Sequence, residues 1–131
     1  MYHLAILKPK YYKMILDGSK PIESRFSQNK IAPFGRVHIG DIVYLKCTGG
    51  MVDTMCVVDK VQYFNLTPKI VEDIRQKYGK QIGTDKPEEW ATTLNKKYGT
   101  LIWLKDVTKI NPIKVNRSCG NAWFVLDGEL K

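Results

Sequence analysis

The sequence contains no long hydrophobic run and no low-complexity stretch. No apolar segment approaches the roughly 20 residues that a membrane-spanning helix needs. The only apolar stretch near the start is Leu4–Leu7, which ends at Lys8 and is too short for the core of a secretory signal. These absences predict a cytoplasmic protein that makes no contact with a membrane.

Cysteine and histidine are scarce as well. The three cysteines are Cys47, Cys56 and Cys119, an odd number without any Cys-x-x-Cys spacing. The two histidines, His3 and His38, are too few for a histidine-based metal site. We therefore expect reduced, mostly buried thiols, no metal and no cofactor.

Acidic residues are outnumbered by basic ones, 13 against 21, which gives a formal net charge of +8. The excess lies at the two ends of the chain, in residues 1–40 and 107–126. A basic protein of this kind favours a polyanionic partner, most often nucleic acid. A length of 131 residues predicts one domain, spanning 1–131.

The hydrophobic pattern predicts an α+β fold rather than an alternating strand–helix sequence. Short strands separated by turn residues favour a small, mostly antiparallel β-barrel with flanking helices. The predicted strands are Tyr2–Lys8, Pro21–Phe26, Ile39–Cys47, Val52–Phe64, Thr100–Asp106 and Ala122–Leu126, with a weaker one at Ile110–Val115.

Helical signals occur in two places. A first helix begins at Pro9 and is expected to end before Gly18. A two-helix insertion is predicted at about 67–99. Its first helix follows the cap Thr67 and ends at Gly79, and its second continues to Tyr98.

Two cations and a carboxylate lie close together just after the first helix. In an extended segment, Glu23 and Arg25 share one face, and Lys20 lies at the mouth of the strand. This arrangement suits an anion pocket in which Arg25 grips a phosphate or carbonyl oxygen and Lys20 is a mobile point charge. Glu23 would hold Arg25 in place or accept a hydrogen bond from a base. The alternative is an exposed strand face with an ion pair of little energetic value.

The same segment resembles the ASCH domain family, a branch of the PUA-like superfamily. The resemblance rests on the pattern Gly18-x-Lys20-x-x-Glu23-x-Arg25, followed by Ile39-Gly40-Asp41-Ile42-Val43-Tyr44, with Leu7-Lys8-Pro9 upstream and Gly120-x-Ala122-Trp123-Phe124 near the end. It spans nearly the whole chain. It implies a PUA-like β-barrel whose cleft, lined by the first pattern, takes RNA or a nucleotide-like ligand.

A groove for single-stranded RNA needs cations along the backbone and aromatic faces for the bases. A polar loop before the last strand adds further candidates, although it is equally well explained as a simple turn. Burial in the core is the commoner fate for a large aromatic such as Trp123. The predicted nucleic-acid-binding residues are Lys8, Tyr11, Lys20, Glu23, Arg25, Arg117, Ser118 and Trp123.

We expect binding of RNA or a nucleotide without turnover. The alternative is a small metal-independent hydrolase that acts on RNA or on an acylated nucleoside, with Lys20, Glu23 and Arg25 as its catalytic residues. The resemblance implies a threonine nucleophile for the second activity, yet this chain has Glu23 at that position, and Ser24 faces the other way. A protein partner is supported by charge alone.

Overall fold

Six strands and two α-helices make up the parts of the chain that the computed structural model describes, residues 1–116 and 122–131. The strands are β1 (Tyr2–Leu7), β2 (Ile22–Ser27), β3 (Ile42–Cys47), β4 (Val52–Asn65), β5 (Tyr98–Ile113) and β6 (Trp123–Leu126). The helices are α1 (Pro9–Leu16) and α2 (Pro68–Ile82), and the 3-10 turns are Pro87–Glu89 and Ala91–Asn95. In this part of the chain, neither helix has the length and apolar character needed to cross a membrane.

The strands form one mixed sheet in the order β2-β5-β4-β3-β1-β6. All neighbouring strands pair antiparallel except β1 and β3, which are parallel. The connection between these two strands is long enough for a parallel pair, because it contains α1 and β2. The predicted α+β class with mostly antiparallel strands is confirmed, and the sheet is a half-barrel whose outermost strands are β2 and β6.

The strand predicted at Thr100–Asp106 and the weaker one at Ile110–Val115 are a single strand, β5. It pairs along its length with β4, and the register shifts at three points allow both long strands to bend. Asp106 adopts a left-handed backbone conformation within β5, with φ of 53°, which aspartate tolerates better than most residues. The apparent break in the sequence pattern is therefore an irregularity within one strand.

Buried apolar side chains form three clusters in the described residues, and two of these clusters include residues of the helices. The first cluster fills the half-barrel and includes Val43, Leu45 and Val58. The second packs α2 against β2 and β5 through Val71 and Ile22, among others. Each fully buried aliphatic side chain of this size stabilises the fold by about 1.5–3 kcal/mol. The second cluster fixes the inserted segment against the barrel.

The predicted insertion differs from the structure in two ways. The first helix does begin after the cap Thr67, whose hydroxyl accepts a hydrogen bond from the Ile70 N–H, but it runs past Gly79 to Ile82. The second predicted helix is replaced by the two 3-10 turns, and Tyr98 already belongs to β5. A helix of this short length is marginal unless packing supports it, and here packing supports tighter turns.

Gly79 lies inside α2 because the following loop packs directly against it. A Cβ atom at this position would lie 2.8 Å from the Asp85 Cα and 2.9 Å from the Thr84 carbonyl oxygen. We expect Gly79→Ala to lower the free energy of unfolding by about 1–3 kcal/mol, although alanine favours helix. Urea unfolding would measure this, with Lys80→Ala on the exposed face as the control. Equal or higher stability of Gly79→Ala would contradict the close approach.

Candidate nucleotide-binding cavity

The side chain of Arg25 bridges the open seam of the half-barrel. Its Nη2 donates to the Ile6 carbonyl of β1, and its Nη1 donates to the Ala122 carbonyl just before β6, each at 3.2 Å. Arg25 itself belongs to β2, at the opposite end of the strand order. The guanidinium group therefore joins the two ends of the sheet.

Glu23 forms the centre of a buried group of charges. Its Oε2 accepts a hydrogen bond from Arg25 Nη2 at 3.2 Å, and its Oε1 lies 3.5 Å from Lys20 Nζ. The Ser24 N–H also donates to Oε1, at 2.8 Å. Burial alone would raise the pKa of Glu23, but the charges of Lys20 and Arg25 and these hydrogen bonds outweigh it and hold the pKa below the ordinary value. Glu23 is therefore an ionised carboxylate at neutral pH.

Lys20 is not the mobile point charge that the sequence suggested. It is only 3% exposed, and its Nζ donates to the carbonyls of Ile22 and Ile82. Burial lowers the pKa of Lys20, and the neighbouring Glu23 carboxylate acts in the opposite direction. The expectation was wrong because Ile82 belongs to the insertion, 62 residues away along the chain. We refer to Lys20, Glu23 and Arg25 as the charged triad.

The charged triad lies on the wall of a cavity of about 610 Å³, hereafter the seam cavity. Lys8 and Tyr11, both predicted for the site, line the same cavity. Ser24, which the sequence pattern placed on the other face of β2, lines the cavity as well, as does Phe26. The structure thus brings five of the eight predicted residues together.

Several residues of the seam cavity were missed by sequence reasoning. One side is formed by the insertion and one position by the β3–β4 turn; the additional residues with polar or aromatic side chains are Thr48, Thr84, Glu89, Trp90, Thr93 and Lys96. Trp90 is buried, packs against Phe26 and donates from Nε1 to the Thr84 carbonyl at 2.8 Å. No local sequence pattern indicates which side of the barrel the segment between β4 and β5 covers, so the sequence could not predict that these residues line the cavity.

Tyr11 closes the cavity on the side of α1. Its ring lies against Gly83, where a Cβ would come within 3.0 Å of the ring, and Lys20 Nζ lies 5.5 Å from the ring centre. The next residue, Tyr12, fixes the helix, because its hydroxyl bonds with Asp53, Thr54 and Lys109. The position of Tyr11 is therefore well determined by its neighbours.

Trp123 does not line the seam cavity but packs behind it. Its side chain is buried, and the Arg25 guanidinium carbon lies 5.4 Å from its ring centre. Its Nε1–H donates to His3 Nδ1 at 3.2 Å, so the opposite His3 nitrogen donates to Asp41 at 2.8 Å. Burial lowers the pKa of His3 below its ordinary value, although Asp41 raises it. Asp41 and His3 thus hold the Trp123 ring in place, and the ring in turn packs against the Arg25 guanidinium and restricts its orientation.

The remaining predicted residues, Arg117 and Ser118, lie outside the described residues, as does Cys119. Cys47 and Cys56 are free thiols. Burial, reinforced by the charge of Glu23, raises the pKa of Cys56 to about 12, so that thiol is not a nucleophile at neutral pH. Among residues 1–116 and 122–131, no three histidine, cysteine, aspartate or glutamate side chains lie close enough to hold a metal ion.

Comparison with known proteins connects this geometry to a fold class. No family model matches the sequence, and no curated protein matches it. Among solved structures, the ASCH protein from Zymomonas mobilis superposes with a TM-score of 0.72 at 15% identity, over 95% of this chain and 87% of that chain. A hypothetical protein, PH0355, superposes with a TM-score of 0.56 at 18% identity, over 86% of this chain and all of that chain.

These similarities show that the chain has an α+β half-barrel fold. The particular fold within that class is that of the ASCH domain proteins, which confirms the fold implied by the resemblance in the sequence.

Proposed function

We propose that this protein binds a nucleotide of single-stranded RNA, or a nucleotide-like ligand, in the seam cavity. The observation that carries the proposal is the convergence of Lys20, Glu23 and Arg25 on one cavity of about 610 Å³. That volume lies within the range of roughly 300–1,000 Å³ in which small-molecule sites fall. The ASCH-like fold supports nucleic acid as the class of ligand.

Arg25 is the anion-binding group in this proposal. Its contacts with the described residues, namely the Ile6 and Ala122 carbonyls and Glu23, use three N–H groups. A guanidinium has five, so two remain for a phosphate or a base carbonyl. Because the triad fixes the guanidinium plane, little side-chain entropy is lost when a ligand binds.

The rest of the cavity supplies the other contacts that a nucleotide needs. Lys8 is exposed at the rim, and Lys96 approaches from the insertion, so two flexible cations can meet a phosphate backbone. Tyr11, which is half-buried, offers aromatic surface to a base, and the buried Trp90 forms part of the cavity wall behind it. The cavity combines both elements of single-strand recognition.

The charged triad favours binding over hydrolysis. A general base must be free to accept a proton, but both Glu23 oxygens already accept hydrogen bonds or ion pairs and the pKa of Glu23 is lowered. Lys20 has its donors directed at the Ile22 and Ile82 carbonyls and at Glu23. In this arrangement Lys20 and Glu23 are positioning residues, and Arg25 is the group that meets the ligand.

Binding can be tested with a fluorescently labelled single-stranded RNA followed by anisotropy at several salt concentrations. We expect Lys8→Ala to weaken binding by about 3–10-fold at low salt and to reduce the dependence of log affinity on log salt by about 0.7, the value for one lost phosphate contact. Lys13→Ala, which removes an exposed lysine of α1 that does not line the cavity, is the matched control.

Two results would overturn the proposal. One is failure of the parent protein to bind RNA or any nucleoside monophosphate at low salt. The other is an equal loss in Lys8→Ala and Lys13→Ala, which would indicate only general attraction to a basic protein. Gel analysis of the RNA after incubation separates binding from cleavage.

A further inference from the structure

We propose that a second, smaller pocket receives the base next to the nucleotide in the seam cavity, so that the protein binds a dinucleotide step with Arg25 at the linking phosphate. This inference rests on the proposed function and deepens it. A second base pocket would favour a polymer over a free mononucleotide as the ligand, whereas the seam cavity alone fits either.

The second pocket adjoins the seam cavity directly. It has a volume of about 250 Å³ and shares three of its lining residues, Arg25, Phe26 and Ala122, with the larger cavity. Arg25 thus forms part of the wall between the two. A ligand that occupies both pockets must pass close to the guanidinium group.

The size of this pocket suits one group of a larger ligand rather than a complete ligand. Its volume is below the roughly 300 Å³ at which sites for complete small molecules begin. Its continuity with a cavity more than twice as large suits one additional group attached to the first ligand. A second base on the same strand is such a group.

The chemistry of the walls fits a nucleobase. Phe34, which is half-buried, supplies aromatic surface, Ile31 supplies exposed apolar surface, and the buried Trp123 and Pro33 form part of the wall. Bases stack on aromatic side chains whatever their sequence. The pocket is therefore suited to an unstacked base of single-stranded RNA.

Phe34 is held in place by its own neighbours. Its ring makes edge contacts with Tyr63 at 5.3 Å and Tyr98 at 5.1 Å between ring centres. A rigid ring is a better stacking platform than a mobile one, because binding then carries no entropy cost for ordering the ring. Phe34 therefore presents a preformed surface.

The charges around the pocket match a phosphodiester at the dividing wall. The described lining residues include one cation, Arg25, and no carboxylate. Lys30 adds a second cation, with its Nζ 5.9 Å from the centre of the Phe34 ring. Two N–H groups of Arg25 are not used by contacts with the described residues, and they can donate hydrogen bonds to the phosphodiester oxygens between the two bases.

The test compares nucleoside 3′- and 5′-monophosphates with the sixteen dinucleoside monophosphates by calorimetry or by intrinsic tryptophan fluorescence. A dinucleoside monophosphate carries about one negative charge and a nucleoside monophosphate nearly two, so charge alone predicts weaker binding of the dinucleotide. We expect the best dinucleotide to bind at least about 10-fold more tightly than either of its monophosphates, because a second stacked base contributes about that much.

Two variants locate the extra affinity. Phe34→Leu keeps apolar packing but removes the flat ring, and Ile31→Asp introduces a carboxylate at a position that is 53% exposed. Each variant is expected to lower the ratio of dinucleotide affinity to monophosphate affinity by at least about fivefold. Ile39→Asp, on the same loop, 70% exposed and away from both pockets, is the control and should retain the preference.

The outcomes separate the two proposals. If monophosphates bind and dinucleotides bind no more tightly, the second pocket is not a base subsite and the proposed function stands. If the preference exists but survives in both Phe34→Leu and Ile31→Asp, the extra affinity arises elsewhere and this inference is wrong. If neither class binds, the proposed function itself has failed.

Discussion

Replacing Glu23 by glutamine is expected to lower the free energy of unfolding by about 3 kcal/mol, and the melting temperature by roughly 10 °C. Glu23 is 4% exposed and is the carboxylate of the charged triad that neutralises Lys20, which is 3% exposed. Glutamine has nearly the same shape, so the loss measures the cost of leaving buried cations without a counter-charge. Thermal and urea unfolding of both proteins would measure it.

The pH dependence of this loss gives an independent check. The pKa of Glu23 is lowered in the folded state, so its contribution is complete above the unfolded value, near 4.5, and is lost as the pH falls through the folded pKa. The difference in stability between the parent and Glu23→Gln should therefore shrink below about pH 4.5. Glu89→Gln, the same change at an exposed position on the seam cavity, is the control and should alter stability by less than about 0.5 kcal/mol. Equal stabilities of the two variants would contradict the buried triad.

Arg25→Lys should abolish most RNA binding, by about 100-fold, while the net charge stays the same. An arginine can donate to the Ile6 and Ala122 carbonyls, to Glu23 and to a ligand at once, because its N–H groups form a planar fork. A lysine has three donors on one atom and cannot reach these acceptors and a phosphate together. Loss of two charged hydrogen bonds to the ligand accounts for the expected factor.

The Arg25→Lys variant also separates the role in the seam from the role in binding. Thermal unfolding of Arg25→Lys measures how much stability the two contacts of Arg25 across the seam contribute, separately from RNA binding. Arg36→Lys, an exposed arginine of the β2–β3 loop that lines neither pocket, is the matched control. If Arg25→Lys binds RNA as tightly as the parent, Arg25 is only a structural bridge and the site assignment is wrong.

Local sequence signals predicted those features that depend on neighbouring residues. The Thr67 cap is an example, because its hydroxyl needs only the backbone three residues ahead. The placement of Glu23 and Arg25 side by side is another, because side chains two apart in a strand share a face. Two predictions for the segment between β4 and β5 were wrong where tertiary packing outweighed local preference. The helix α2 continues past Gly79, which packs against the loop at Asp85. The second predicted helix is replaced by 3-10 turns around Trp90, which packs against Phe26.

The amino-acid sequence by itself determined the α+β class, the order of the strands along the chain, the excess of basic charge and the presence of two cations and a carboxylate within six residues. Only the tertiary structure decided that Lys20 is buried against Ile82, that Arg25 joins β2 to Ile6 and Ala122, and that the insertion walls the cavity. The physical reason is distance along the chain. The carbonyl partners of Arg25 lie 19 and 97 residues away, so no local pattern encodes them, and they come within reach only in the folded half-barrel.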